Sequence, residues 1–422
     1  MRIYTGRGPT VQAFKTCINS LLSRNMSNST GVNKVVIASA MRTPIGSFQG
    51  SLSSIPTTEL GSIAIKAAID KAGVPMNEVG EVYMGNVLQA AEGQAPTRQA
   101  ALGAGLPTST PCTTINKVCA SGMKAIMLAS QSLMLGHQSV MVAGGMESMS
   151  NVPFTMPRTP PTYGGVQLQD LIVGDGLTDV YNKFHMGCCG EDTAEKFNFS
   201  REDQDNYAIS SYKRSAAAVK AGHLSAEITP VTIPGKRGKP DVVVAEDEEY
   251  KRVNYDKLPT LRAVFKKDNG TVTAGNASTL NDGAAALVLM TSDAADRLNV
   301  KPLARVVSFA DAALEPIDFP TAPAYAIPKA LDMAGLKAHD IALWEVNEAF
   351  SVVALANIKL LGIDSEKVNV DGGAVSLGHP IGMSGARIVG HLVHRLKPGE
   401  YGCAGICNGG GGASAIVIEK LQ

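Results

Sequence analysis

The chain has 422 residues, 45% hydrophobic and 18% charged, a globular composition that excludes a disordered or collagen-like protein. Lys plus Arg and Asp plus Glu both number 38, so the basic excess of a nucleic-acid binder is missing, and no apolar run is long enough to span a membrane as a helix. Seven cysteines without a CxxC pair argue against a secreted disulfide framework and a structural zinc site, and for a reducing compartment.

Residues 1–33 carry Arg2, Arg7, Lys15 and Arg24 but no acid, and Val11, Phe14, Ile18 and Leu21 recur at helical spacing. An acid-free, Arg- and Ser-containing amphipathic leader is the pattern of a mitochondrial transit peptide, which places the mature chain in the matrix. Residues 34–154 then alternate strand-like and helix-like runs. Val35-Val36-Ile37 reads as a buried strand, Ile63 to Ala72 as a helix stopped by Gly73, and Val140 to Ala143 as another buried strand. The alternation predicts an α/β fold with a largely parallel sheet.

Residues 155–278 lose that alternation. Pro153, Pro157, Pro160 and Pro161 precede a Gly164-Gly165 pair, and a helix is expected over 201–222. The stretch is too long for a simple loop and is expected to be an inserted subdomain, with a return to the first domain near 279–297. Residues 298–422 repeat the first unit. At a near-constant separation Ile65 meets Ile327, Asp70 meets Asp332, Gly73 meets Gly335, and Ser121-Gly122 meets Ser384-Gly385. One long period of this kind means two copies of one domain, and the seam between them is a place for a ligand.

Four loops could carry chemistry. Cys119, in Asn116-to-Lys124, stands just before a helix start, where unpaired N–H groups favour thiolate and can hold an oxyanion. His379, in Gly372-to-Gly382, lies in the counterpart loop and could act as its general base. Cys407 precedes Gly409 to Gly412, four glycines that suggest a tight turn with N–H groups facing a ligand. GxxxxGK[ST] is absent, which argues against a phosphate loop. Asn347 follows the apolar run Ile341 to Val346, at a strand's C-terminal end where α/β sheets place their sites.

Together these loops resemble the thiolase family over nearly all of residues 34–422. The matching motifs are Asn116 to Gly122 around Cys119, Asn347-Glu348-Ala349-Phe350, Gly378-His379-Pro380, and Cys407-Asn408-Gly409-Gly410-Gly411. His185-Met186-Gly187, Asn276-Ala277-Ser278 and Glu315 to Pro320 point to the family's mitochondrial, acetyl-CoA-condensing branch. The resemblance implies two duplicated α/β domains in a layered α/β/α/β/α core with an inserted loop subdomain. It implies a reversible Claisen condensation of two acetyl-CoA to acetoacetyl-CoA and CoA, with no prosthetic group. Cys119 would be the nucleophile, His379 its base, Cys407 the second acid/base, and Asn347 the holder of a water at the enolate. Cys119 and Gly409 would supply the N–H groups of the other oxyanion hole. Arg252, Val253, Asn254, Lys257 and Ser278 would contact coenzyme A, His185 and Met186 its pantetheine arm, and Phe319 the acyl group. A potassium ion would be held by oxygens of Tyr212, Ala274, Gly275, Ala277 and Val375. A homotetramer assembled through the segment near 150–172 is implied, with neither nucleic acid nor membrane as partner. The alternatives are a degradative 3-ketoacyl-CoA thiolase of broader chain length, a ketoacyl synthase, a non-catalytic acyl-CoA carrier on the same fold, and a redox sensor using Cys119 and Cys407. The Cys407 motif speaks against a synthase, and the presence of all four loops against a carrier.

Overall fold

The computed structural model describes residues 31–159, 163–235 and 238–422. Nearly all of the expected leader, and Pro160 and Pro161, lie outside the described residues. The chain enters through β1 (Val35–Arg42) and α1 (Thr57–Ala72). In α1, Leu60, Ala64, Ile65, Ala68 and Ile69 fall on one buried stripe, and Gly73, at φ 67°, ends the helix in the left-handed conformation. Next come β2 (Glu81–Gly85), α2 (Pro96–Gly103), β3 (Cys112–Ile115), α3 (Ser121–Met134) and β4 (Val140–Ser148). The middle segment supplies α4 (Met186–Phe197) and α5 (Arg201–Ala221), the latter opened by a Ser200/Asp203 capping box. β5 (Asn281–Thr291) returns to the sheet. The second half runs β6 (Ala304–Ala313), α6 (Pro323–Ala334), β7 (Ile341–Val346), α7 (Ser351–Leu361), α8 (Ser384–Arg395), β8 (Tyr401–Asn408) and β9 (Gly412–Lys420).

The strand order is β7-β8-β9-β6-β1-β5-β4-β2-β3, so β1 and β6 meet at the centre. Outward from that pair, β1-β5-β4-β2 on one side mirrors β6-β9-β8-β7 on the other. β3, beside β2, has its mirror in the single bridge from Trp344 to Val368. Side-chain alternation sorts the core into layers. On β1, Val35 and Ile37 face α3 and α8, while Val36 and Ala38 face α1. On β9, Ile416 and Ile418 share the α3/α8 layer, while Ala415 and Val417 face α6. Two outer helical layers and one shared inner layer therefore enclose the two half-sheets, the five-layer arrangement expected.

The expectation of a largely parallel sheet is corrected. β2 pairs parallel with β3 and β4, and β7 with β8, but the pairs β1–β5, β5–β4, β1–β6, β6–β9 and β8–β9 are antiparallel. In each half the last strand returns antiparallel to the strand before it, in the first half after the middle segment and in the second through a tight turn. Between β8 and β9 only Gly409 to Gly411 intervene, which is a hairpin turn.

Candidate active site

The helices of the inner layer bring the site together. Their starts cross closely at two glycines: a Cβ on Gly122 would lie 2.9 Å from Gly382 O, and one on Gly385 would lie 2.5 Å from Met123 N. The loops entering α3 and α8 are thereby held side by side.

The loop before α3 is tightly bonded. Asn116 Oδ1 accepts from Val118 N at 3.0 Å, and Ser121 Oγ accepts from Lys117 N at 2.8 Å while donating to Val118 O at 2.6 Å. Val118 is held at φ 47°, a left-handed conformation that a β-branched residue adopts only when its surroundings impose it. Lys117 Nζ crosses to the second half, donating to Asp311 Oδ1 at 2.5 Å, Ser414 Oγ at 2.8 Å and Ala413 O at 3.0 Å. Cys119 keeps a partly exposed face and packs with Val87, Leu88, Met149, Ile172 and Ile381. Its own N–H and that of Gly409 reach its Sγ. The expectation that the helix start lowers the thiol's pKa is nevertheless corrected. Burial outweighs those donors, Glu147 adds to it, and the thiol is pushed up to about 12. The nucleophile therefore needs a base.

His379 is buried in the loop before α8. Its Nδ1 lies 2.6 Å from Ser384 Oγ, and that hydroxyl donates its one proton to Pro380 O at 3.0 Å. Ser384 Oγ therefore accepts from Nδ1–H, and Nε2 keeps its lone pair. Burial, with Arg387 behind it, pushes the imidazole down to about 3, so the ring is neutral at physiological pH. Nε2 faces Asn347 Nδ2 at 3.5 Å. Asn347 is fixed through its backbone N–H to Gly405 O at 3.0 Å, and its buried Oδ1 has no partner among the described residues. Phe350 is the N-cap of α7, so Asn347 is not a helix cap.

Cys407 is the penultimate residue of β8, fully buried and packed with Met186, Phe319 and Phe350. Burial raises its thiol well above 9, and the nearby Cys119 raises it further. Gly410 and Gly411 turn the chain at φ 83° and 88°, which leaves the Gly409 N–H aimed at Cys119. Met186 Cε comes within 3.4 Å of where a Cβ on Gly409 would lie. His185 stacks on Phe265 with ring centroids 4.6 Å apart and accepts from Gly187 N through Nδ1 at 3.0 Å.

A cleft of about 620 Å³ opens over the middle segment. Arg252, Val253, Asn254, Lys257 and Ser278 line it, together with Tyr212, Ala274 and Gly275. Val375 packs on Tyr212, and Ala277 packs beside Phe350. The residues expected around potassium thus gather at the cleft and its edge, and they offer carbonyl and hydroxyl oxygens, a donor set that fits a hard monovalent cation. Among the described residues, no group of three or more His, Cys, Asp or Glu is arranged to hold a metal.

Residues 35–293 match the Thiolase, N-terminal domain family, and residues 300–420 match the Thiolase, C-terminal domain family. The chain belongs to the thiolase family. It is 72% identical over 400 residues to the mitochondrial acetyl-CoA acetyltransferase of Danio rerio, covering 95% of each chain. It is 71% identical to the mitochondrial acetyl-CoA acetyltransferase of Homo sapiens, covering 95% of this chain and 93% of that one. Among solved structures, an Ascaris suum thiolase in complex with coenzyme A superposes with a TM-score of 0.89 at 49% identity, over 92% of this chain and 100% of that one. The acetyl-CoA acetyltransferase of Bacillus anthracis superposes with the same TM-score of 0.89 at 39% identity, over 93% of this chain and 100% of that one.

Sequence reasoning missed several supports of this thiolase site: Ser384 behind His379, Asn281, whose Oδ1 accepts from His379 N at 2.9 Å, Phe265 against His185, and the Lys117–Asp311 tie. The repeat held a signal for Ser384, because its mate Ser121 also bonds the loop before its helix.

Proposed function

We propose that this chain is an acetyl-CoA C-acetyltransferase that condenses two acetyl-CoA to acetoacetyl-CoA and CoA, and catalyses the reverse thiolysis, in mitochondria. What supports the reading is the nearness of two protonated thiols, Cys119 and Cys407, with the Gly409 N–H beside them, and the close crossing of α3 and α8, whose entering loops carry Cys119 and a neutral His379. The relatives named above, all acetyl-CoA acetyltransferases or thiolases, support the substrate.

His379 Nε2 takes the proton of Cys119, and the sulfur attacks the thioester carbonyl of the first acetyl-CoA. The N–H groups of Cys119 and Gly409 hold the oxyanion. The departing CoA sulfur takes the proton of Cys407, which leaves a Cys407 thiolate. That thiolate removes a proton from the methyl carbon of the second acetyl-CoA. The enolate oxygen is held by the imidazolium of His379 and a water on Asn347. The carbanion attacks acetyl-Cys119, and the released Cys119 sulfur recovers its proton from His379, so the proton count closes.

Coenzyme A would lie in the cleft against Arg252, Val253, Asn254, Lys257 and Ser278, with its pantetheine arm past His185 and Met186 and the acyl end at Phe319. A potassium ion held by Tyr212, Ala274, Gly275, Ala277 and Val375 would stiffen the cleft wall; equal rates in sodium and potassium salts would exclude it. The exposed Phe154, Met156, Tyr163, Val166 and Leu168 support assembly of a homotetramer through this segment. Light scattering at the mass of a monomer would exclude that.

Mass spectrometry after brief exposure to acetyl-CoA tests the chemistry. An acetyl group is expected on Cys119 in the native chain and in Cys407→Ser, with condensation lost only in the variant. A native chain that stays unmodified, or a Cys407→Ser variant that condenses normally, would overturn the assignment.

A further inference from the structure

Cys119 and Gly382 hold equivalent places in the two halves, each two residues before the first residue of a helix that starts at the seam. Their N–H groups meet different fates. That of Cys119 faces the reacting sulfur. That of Gly382 is occupied, donating to Glu147 Oε2 at 3.0 Å. The duplicated fold thus holds two such N–H groups, and a carboxylate of the chain fills one.

Glu147 lies near the end of β4 with no exposed surface. Its Oε2 also accepts from Val87 N at 3.1 Å, and its Oε1 accepts from Leu88 N and Asn86 Nδ2, each at 3.1 Å. These donors come from two places. Asn86 to Leu88 form the loop after β2, and Val87 and Leu88 wall Cys119. Gly382 closes the loop that carries His379, and its neighbour Ile381 packs in the same wall.

Resting on the thiolase reading above, we propose that Glu147 is a positioning residue: its carboxylate ties the loop of His379 to the loop that walls Cys119, and so sets base against nucleophile. Four N–H donors saturate the ionised carboxylate, whereas protonation would turn one acceptor into a donor facing donors. Burial and the neighbouring Glu92 push Glu147 up to about 8, against the pull of its backbone donors. The reacting groups of the site stand clear of that range. His379 is pushed down to about 3, Cys119 up to about 12 and Cys407 well above 9, while Glu92 is raised by its own burial. The turnover rate is therefore expected to rise with pH as Glu147 ionises.

Thiolysis of acetoacetyl-CoA across pH, in the full chain, tests this. Glu147→Gln puts an amide N–H among N–H donors. It is expected to lower kcat about tenfold, to leave KM for CoA within about twofold, and to erase the rise near that pH. Glu92→Gln removes the neighbouring charge, so the rise moves to lower pH while the plateau kcat stays. A Glu147→Gln variant with native kcat and the rise intact, or a Glu92→Gln variant whose rise does not move, overturns the proposal. If Glu147→Gln does not fold, Glu92→Gln carries the test. Acetyl-Cys119 is followed in the native chain alongside: its absence would fail the thiolase reading, whereas its presence with an unmoved rise would fail this inference alone.

Discussion

Ser384 has one hydroxyl proton, and where that proton goes decides which nitrogen of His379 is free. Given to Pro380 O, it leaves the oxygen to accept from Nδ1–H, so Nε2 can take a proton. Ser384→Ala removes that acceptor without adding bulk, and the ring can then adopt the unproductive tautomer. Its kcat is expected to fall roughly 10- to 100-fold, with KM for CoA little changed, in steady-state thiolysis assays. A native kcat would show that other contacts set the tautomer. A second expectation concerns the imidazole itself. Because burial pushes it down to about 3, the neutral base persists as pH falls. kcat/KM should therefore show no acid-side inflection at the ordinary histidine value near 6.5. An inflection there that disappears in His379→Asn would mean that the ring is far better solvated than its burial indicates.

At the scale of elements, α8 carries two glycines with opposite demands. A Cβ on Gly385 would strike Met123 N at 2.5 Å, a backbone atom that can yield only if α3 moves. A Cβ on Gly390 would meet only Ala40 Cβ, at an ordinary 3.5 Å. Gly385→Ala is expected to destabilise the chain by about 1–3 kcal/mol and to lower kcat, because both reactive loops hang on the α3–α8 crossing. Gly390→Ala is expected to be neutral or to gain up to about 1 kcal/mol from helix propensity. Urea midpoints and kcat for the two variants decide, and equal behaviour would remove the close crossing as an organising contact. The crossing was half legible in the sequence. The repeat aligned Ser121-Gly122 with Ser384-Gly385 and so paired the helix starts, and the motifs pointed to Cys119, His379, Asn347 and Cys407. Strand direction was misread because alternation of strand and helix says nothing about the direction in which the last strand of each half returns. The protonated Cys119 was misread for a related reason: a helix start is visible in sequence, but the surrounding side chains that desolvate the sulfur are not. Glu147 and Phe265 act through partners distant along the chain, which leaves them no local signature, whereas Ser384 lies five residues from His379 and had its signal in the repeat.

At the scale of the whole molecule, a buried network of charges joins the three parts of the chain. Arg42 on β1 reaches Glu227 at 2.6 Å and Asp247 at 2.7 Å, both in the middle segment. His391 on α8 meets Glu227 at 3.1 Å through Nδ1 and Asp371 at 3.2 Å through Nε2, the second contact lacking hydrogen-bond alignment. Arg387 pairs with Glu345 at 3.2 Å, and Arg395 and His223 also hold Asp371. Such a network gives little net stability over apolar packing, but it makes the fold depend on every member's charge. Burial opposes the His391 imidazolium, yet Glu227, Glu345 and Asp371 outweigh it and raise it to about 9. A raised histidine contributes fully below its unfolded value near 6.5, and that contribution is lost as pH climbs through about 9. The shift corresponds to roughly 3 kcal/mol. Glu345, raised to about 7 by burial, has the same sign but a lower window: its contribution is lost as pH rises from the usual carboxylate range through about 7, so the decline above neutral belongs to His391. Glu227 and Asp371 are drawn below the usual carboxylate range by Arg42 and the histidines, despite burial, so their contribution is lost on the acid side instead. Stability should therefore decline on the alkaline side from neutral pH toward 10, well before lysines titrate. In His391→Gln the starting stability is lower, because the buried acids lose their cation, and the alkaline decline is shallower. Urea unfolding at stepped pH measures both, and a variant whose alkaline decline matches the native one would show that the network's charge does not rest on His391.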